Sequence, residues 1–304
     1  MKYLIILGDG MADEPISDLD GKTPLMAAET PCMDYLSKKS EIGMVRTIPE
    51  GMSPGSDTAN LSVLGYDPRI YYSGRSPLEA LSIGVDMEDT DVALRCNLVT
   101  LSEEGDYEDK IILDHSSGEI STEDAAVLIN EIKKKFQNEV YRFYVGTSYR
   151  HLTIWKHGKV VPLSQPHDIL GEVIGDYLPE EPALRKMMKD SYDILNSHPI
   201  NTERGRRGLN KANSLWFWGA GTRPALTSFE EKYHKKGAMI SAVDLLKGIA
   251  VGAGMKVIEV PGANGTLHTN YEGKAAAALE SLLKENYDFV YIHVEAPDEM
   301  GHQG

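Results

Sequence analysis

The sequence predicts an α/β fold: a parallel-sheet core with helices on both faces, interrupted by an inserted α+β domain. Three observations carry this. Tyr3-Leu4-Ile5-Ile6-Leu7 is continuously apolar and stops at Gly8-Asp9-Gly10, the pattern of a buried parallel strand that delivers Asp9 at its carboxyl end. From about residue 240 onward, strand-length apolar runs alternate with helical patterns in βαβ fashion. Between these flanks, short strands and helices follow in a different order, which marks the insertion. The expected core comprises 1–78 and 230–304, and the expected insertion 79–229.

Taken in order, 11–22 reads as a polar loop, 31–39 as a short helix with Pro31 near its start, and 43–48 as a short strand. Gly51-Met52-Ser53-Pro54-Gly55 is a turn-rich loop that becomes a helix at Ser56 or Asp57. A helix over 77–83 and a strand over 91–100 follow, then an acidic turn at 101–110. Residues 121–137 form an amphipathic helix: Ser121 and Asp124 have capping-box spacing, and Ala125, Leu128, Ile129 and Ile132 share one face. Strands are expected over 140–145 and 150–155, a helix over 183–195, and a strand over 214–218. The basic run Arg204-Gly205-Arg206-Arg207 reads as a solvated loop. The C-terminal flank supplies a helix over 241–253, a strand over 255–260, a helix over 271–284 and a buried strand over 289–294.

Composition narrows the function. The formal net charge of −15 argues against nucleic acid and anionic membranes as partners, although local arginines or metal ions can still gather a small anion. Cys32 and Cys96 both lie in apolar runs, which suits buried thiols in a reducing compartment better than a disulfide. The N-terminus lacks a signal-peptide pattern and no apolar run approaches ~20 residues, so a soluble, cytoplasmic protein is expected. Homo-oligomerisation is left open.

The chemistry concentrates in three places. Asp9 follows the first strand, where open α/β sheets bind ligands, and is a candidate metal ligand, with a turn-forming Asp as the competing reading. Ser56 opens a helix whose N-terminal N–H groups suit a phosphate, with a plain N-cap as the competing reading. Asp298 and His302, four residues apart, follow the last strand, and carboxylate plus imidazole is a donor set for Mn²⁺ or Zn²⁺. In the insertion, Arg150 and the His167-Asp168 pair are candidate substrate contacts. Arg223 is a candidate anion clamp, with an ordinary surface or ion-pair role as the competing reading for it and for Arg150. Lys274 is a weaker candidate whose plainer reading is a helix-surface lysine.

The segments Ile6–Met11, Pro54-Gly55-Ser56-Asp57-Thr58-Ala59-Asn60-Leu61-Ser62-Val63-Leu64-Gly65-Tyr66-Asp67-Pro68, Ala93–Val99, Trp216–Gly219 and Glu295–His302 together resemble one family. It is the archaeal-type, 2,3-bisphosphoglycerate-independent phosphoglycerate mutases of the alkaline-phosphatase-like metalloenzyme superfamily. The resemblance runs the length of the chain. It implies an alkaline-phosphatase-like core and interconversion of 3- and 2-phosphoglycerate through a phosphoserine at Ser56. It also implies two divalent metal ions, Mn²⁺ first and Zn²⁺, Co²⁺ or Mg²⁺ as alternatives. Asp9 and Ser56 would ligate one and Asp298 and His302 the other, while the inserted domain grips the substrate. Another phosphotransferase, such as a homoserine-kinase-like enzyme, is the alternative. No Gly-x-x-x-x-Gly-Lys-Ser/Thr motif occurs, which speaks against ordinary ATP use. Family members continue past the position of Gly304 with an Asp-His pair and a further His that complete both metal sites. The expectation is therefore a C-terminally shortened member that binds metal weakly and turns over poorly, or an inactive relative.

Overall fold

The computed structural model describes residues 1–303. Its strands, in chain order, are β1 (Tyr3–Gly8), β2 (Val92–Leu101), β3 (Ile112–Asp114), β4 (Tyr141–Thr147), β5 (Arg150–Trp155), β6 (Ser214–Thr222), β7 (Gly237–Ile240), β8 (Lys256–Val257) and β9 (Phe289–Val294). The chain divides into two compact units: Met1–Tyr72 with the chain from Ala225 onward, and Ser73–Pro224.

The first unit is built on a parallel sheet of order β1-β9-β7-β8. Alternation along β9 divides its side chains between the two faces. Val290 and Ile292 pack with Ala278 and Leu282 of the helix Tyr271–Leu283. Tyr291 and His293 take the opposite face, and Tyr291 bonds there to Asn60 of the helix Ser56–Val63. Beside that helix packs the helix Asp244–Gly252.

The second unit is an antiparallel sheet with β2 at its centre, β5 then β4 to one side and β6 to the other. Register sorts its two faces. Leu94, Cys96 and Leu98 share one with Phe143 and Phe217, and pack on the helices Thr122–Phe136 and Pro182–Leu195. Ala93, Leu152 and Ile154 lie on the other, against Ala80 of the helix Arg75–Ser82. Arg95, Asn97, Arg150 and Trp218 follow on that same face by register. Ser121 caps its helix as its spacing predicts, accepting the Asp124 N–H at 3.2 Å.

Several expectations give way. β1 is parallel but not buried: as the edge strand among the described residues it leaves Leu4 and Ile6 exposed. Residues 43–48 form no strand, because nothing pairs with them among the described residues, and Met44 and Val45 stand in solvent. The strand expected over 255–260 shrinks to β8. The helix expected from 241 begins at Asp244, because the Ser241 hydroxyl accepts the Val243 N–H and holds a turn there. The run 204–207 is not a solvated loop: it ends the helix Pro199–Arg206, and Arg204 turns inward to donate to the carbonyls of Ser117 and Asn210. Cys96 is buried as expected, but Cys32 is exposed. Among the described residues no helix is long and apolar enough to cross a membrane.

Candidate active site

In the first unit, pairing continues past β1, where the Asp9 N–H bonds the Val294 carbonyl at 2.9 Å. Gly10 then turns at φ +66°, and a Cβ there would stand 2.6 Å from Asp298 Cα. Only glycine fits, since it alone adopts this conformation freely and lets the loop seat against the helix Ala296–Gln303. That helix puts Asp298 and His302 on one face, with His302 Nε2 3.5 Å from Asp298 Oδ2. Asp9 meets buried His293: Nε2 lies 3.0 Å from Asp9 Oδ2, and Nδ1 lies 3.4 Å from Ser241 Oγ.

Carboxylates crowd this end of the sheet. Burial pushes the Glu295 carboxyl above its ordinary range, and the charges of Glu299, Asp9 and Asp298 add to this against the opposing pull of His293. Lys274 is not a helix-surface lysine. It is 2 % exposed and donates to the His293 carbonyl at 2.9 Å. Its position on the inner face of the helix Tyr271–Leu283 brings it there, and burial lowers its ammonium pKa while Glu295 opposes.

Ser56 is the first residue of its helix, and the cap position belongs to Gly55. Its Oγ has no partner among the described residues. Asp57, by contrast, is buried and engaged, accepting from the Thr58 N–H at 2.8 Å and the Tyr72 hydroxyl at 2.7 Å. Of the Ser56-Asp57 pair, the serine is left available for chemistry. Its backbone is held by a buried relay: Tyr291 donates to Asn60 Oδ1 at 2.5 Å, and Asn60 Nδ2 donates to the Ser56 carbonyl at 2.8 Å. Asp9 and Tyr291 are near enough for the Asp9 charge to help burial raise the tyrosine pKa.

The concentration of carboxylates suits a cation. Among the described residues, however, no three His, Cys, Asp or Glu side chains converge as a metal site. The donors stand as the pairs Asp9/His293 and Asp298/His302, short of a closed coordination shell.

The second unit gathers cationic groups on one face of its sheet. Arg95, 8 % exposed, lies with its guanidinium carbon 4.7 Å from the Trp218 ring centre. His167 meets Trp218 edge-on at 5.4 Å between ring centres and His115 at 6.0 Å. Burial holds His167 below the ordinary imidazole range against the opposing pull of Asp168, and His115, Arg95 and Arg75 push it further down. Arg150 lies over the Tyr149 ring, which in turn packs on His115. The structure thus gathers Arg150, His167 and Asp168 here, whereas Arg223 pairs instead with exposed Asp89 at 3.5 Å. Sequence reasoning missed Arg75, Arg95 and His115 as members. Arg95 did carry a signal: it is a charge inside the apolar strand Val92–Leu101.

The chain was compared with known proteins. The family model described as 2,3-bisphosphoglycerate-independent phosphoglycerate mutase matches residues 37–201. A protein of that name from Methanosarcina barkeri is 53% identical over 309 residues, covering all of this chain and 76% of the relative. A Geobacter sulfurreducens protein named as a probable member is 51% identical with the same coverage. Among solved structures, the PH0037 protein of Pyrococcus horikoshii matches at TM-score 0.79 and 33% identity, over 99% of this chain and 72% of that one. The cofactor-independent phosphoglycerate mutase of Thermoplasma acidophilum matches at TM-score 0.59 and 30% identity, over 97% and 77%.

Proposed function

Since the chain belongs to the 2,3-bisphosphoglycerate-independent phosphoglycerate mutases, which interconvert 3- and 2-phosphoglycerate, we propose that Ser56 carries the phosphoryl group between the two positions. The observation that carries this reading is the unpartnered Ser56 hydroxyl on the first turn of its helix, beside an Asp57 already engaged. The positive end of that helix and its open N–H groups favour a phosphate on Oγ. In the forward half, a bond forms from Oγ to phosphorus as the ester O–P bond breaks, and the serine proton goes to the departing glycerate hydroxyl. In the return half, a bond forms from the neighbouring glycerate hydroxyl oxygen to phosphorus as the Oγ–P bond breaks, and the hydroxyl proton goes to Oγ. The Tyr291–Asn60 relay fixes the Ser56 backbone through both halves.

We read the first unit as an alkaline-phosphatase-like core and the second as the substrate-gripping domain, with Arg150, His167 and Asp168 among its contacts. The crowded carboxylates support a role for divalent ions, Mn²⁺ first. Asp9 and Ser56 would contribute to one ion and Asp298 and His302 to the other. Such ions, when bound, would acidify the serine hydroxyl and offset phosphate charge. A cytoplasmic setting accords with this chemistry.

The test is phosphorus NMR of 3-phosphoglycerate with the protein and Mn²⁺, without added 2,3-bisphosphoglycerate. Slow conversion to 2-phosphoglycerate is expected, with loss on Ser56→Ala. Conversion that survives Ser56→Ala would overturn the serine's role.

A further inference from the structure

The cationic face of the second unit contains a carboxylate whose geometry calls for a reason. Glu79, on the helix Arg75–Ser82, accepts from Arg95 Nε at 2.9 Å through Oε2 and from Arg95 Nη2 at 2.5 Å through Oε1. Its Oε1 also accepts from Arg75 Nε at 3.1 Å. One carboxylate thus fixes the outer edge of one guanidinium and anchors a second. Arg95 Nη1 is the nitrogen left without a partner among the described residues, on a side chain that is 9 % exposed. Trp218 fixes the plane of the same guanidinium from below, and the Trp218 Nε1 proton is itself held by Asn97 Oδ1 at 3.0 Å. Asn97 Nδ2 reaches the His115 carbonyl at 3.4 Å, which ties the histidine into the same frame. The buried Nδ1 of His115 has no hydrogen-bond partner among the described residues.

We propose that Glu79 is a positioning residue that aims Arg95 Nη1 into an anion pocket within the second unit, and that the pocket takes the carboxylate of a small hydroxy acid. The acid's identity rests on the mutase reading, while the pocket and the role of Glu79 rest on the geometry. Charge selects the carboxylate end. Glu79 pairs with Arg75 and Arg95, Asp168 lies beside His167, and with the nearby Arg150 the three guanidiniums and two carboxylates leave one positive charge before any imidazole is counted. That matches a monoanion better than a phosphate dianion. A rigid guanidinium with one edge already engaged also loses little entropy on binding, which favours recognition through its remaining nitrogen.

Simple electrostatics and positioning make opposite predictions for Glu79→Gln. Removing a negative charge beside a cationic pocket should strengthen anion binding, whereas freeing Arg95 from its aim should weaken it. The experiment titrates D-glycerate, and separately inorganic phosphate, into the full chain in EDTA, following the Trp218 indole N–H resonance by proton–nitrogen NMR. Expected are a saturable shift with D-glycerate, one at least tenfold weaker with phosphate, and at least a tenfold loss of glycerate affinity in Glu79→Gln. Glu79→Asp keeps the charge but is too short to span both arginines, so it should lose affinity too. It also serves as the second variant if Glu79→Gln does not fold. Unchanged or tighter glycerate binding in a folded Glu79 variant overturns the positioning role. No indole shift with either anion overturns the pocket, and an equal response to phosphate overturns the carboxylate assignment. Glycerate binding without phosphoryl transfer would sink the mutase reading alone, and transfer without glycerate binding would sink this inference alone.

Discussion

Replacing His151 with glutamine should flatten the fall of stability with acid. His151 lies opposite Cys96 in the β2–β5 register, on the sheet face covered by helices, and is 3 % exposed. Its Nδ1 accepts the Gly146 N–H at 3.1 Å, so the ring proton sits on Nε2, which has no partner among the described residues. A second proton would charge a ring buried among apolar groups, and burial therefore depresses its pKa from 6.5 to about 3. The sign follows. The unfolded chain takes up this proton as pH falls through 6.5, while the folded chain refuses it until about pH 3. The contribution to stability is intact above 6.5 and is lost below it at about 1.4 kcal/mol per pH unit, on the order of 5 kcal/mol in all. That is comparable with the whole stability of many domains, roughly 5–15 kcal/mol. Glutamine can still accept the Gly146 N–H but does not titrate. Urea unfolding of both proteins at a series of pH values from 7.5 down to 4 gives the difference directly, and effects of other carboxylates cancel. The variant should be slightly less stable at pH 7.5, and the gap should close and then invert on acidification. Parallel curves would refute the reasoning.

Two further perturbations test the scaffold. Lys110 is 3 % exposed; its ammonium donates to the Glu103, Glu104 and Gly105 carbonyls at 3.1, 3.4 and 3.1 Å and lies 4.3 Å from the Tyr192 ring centre. Lys110→Met should cost about 3 kcal/mol and lower the melting temperature by roughly 6–12 °C, and an unchanged melting curve would contradict this. Tyr291→Phe removes the hydroxyl that holds Asn60, and should cost about 1–3 kcal/mol. It should also speed amide exchange across the helix Ser56–Val63, so identical exchange rates would argue against the relay.

What was legible in the sequence is what local chemistry decides. The helix Thr122–Phe136 announces itself through Ser121 and the apolar spacing from Ala125 to Ile132, because cap and stripe lie within one segment. The helix at Ser56 is legible for the same reason, although its cap is Gly55. Where partners lie far along the chain, the same rules mislead. Residues 43–48 have a strand's composition but no neighbour to pair with among those described, and Arg204 looks solvated until Ser117 and Asn210 arrive from elsewhere.

The candidate site divides along the same line. Asp9, Ser56, Asp298 and His302 sit at element ends, where glycine, proline and a change of period mark them in the sequence. His293 and Asn60 lie inside regular elements, and each meets a partner more than two hundred positions away, Asp9 and Tyr291 respectively. Arg95 is the instructive case. A charge in the middle of a buried strand is costly unless something compensates it, so its presence alone implies a partner on the facing helix and an unusual environment. The sequence shows that the cost exists but not that Glu79 offsets it. Nor does it show that one nitrogen remains over, which turns a buried ion pair into a recognition group.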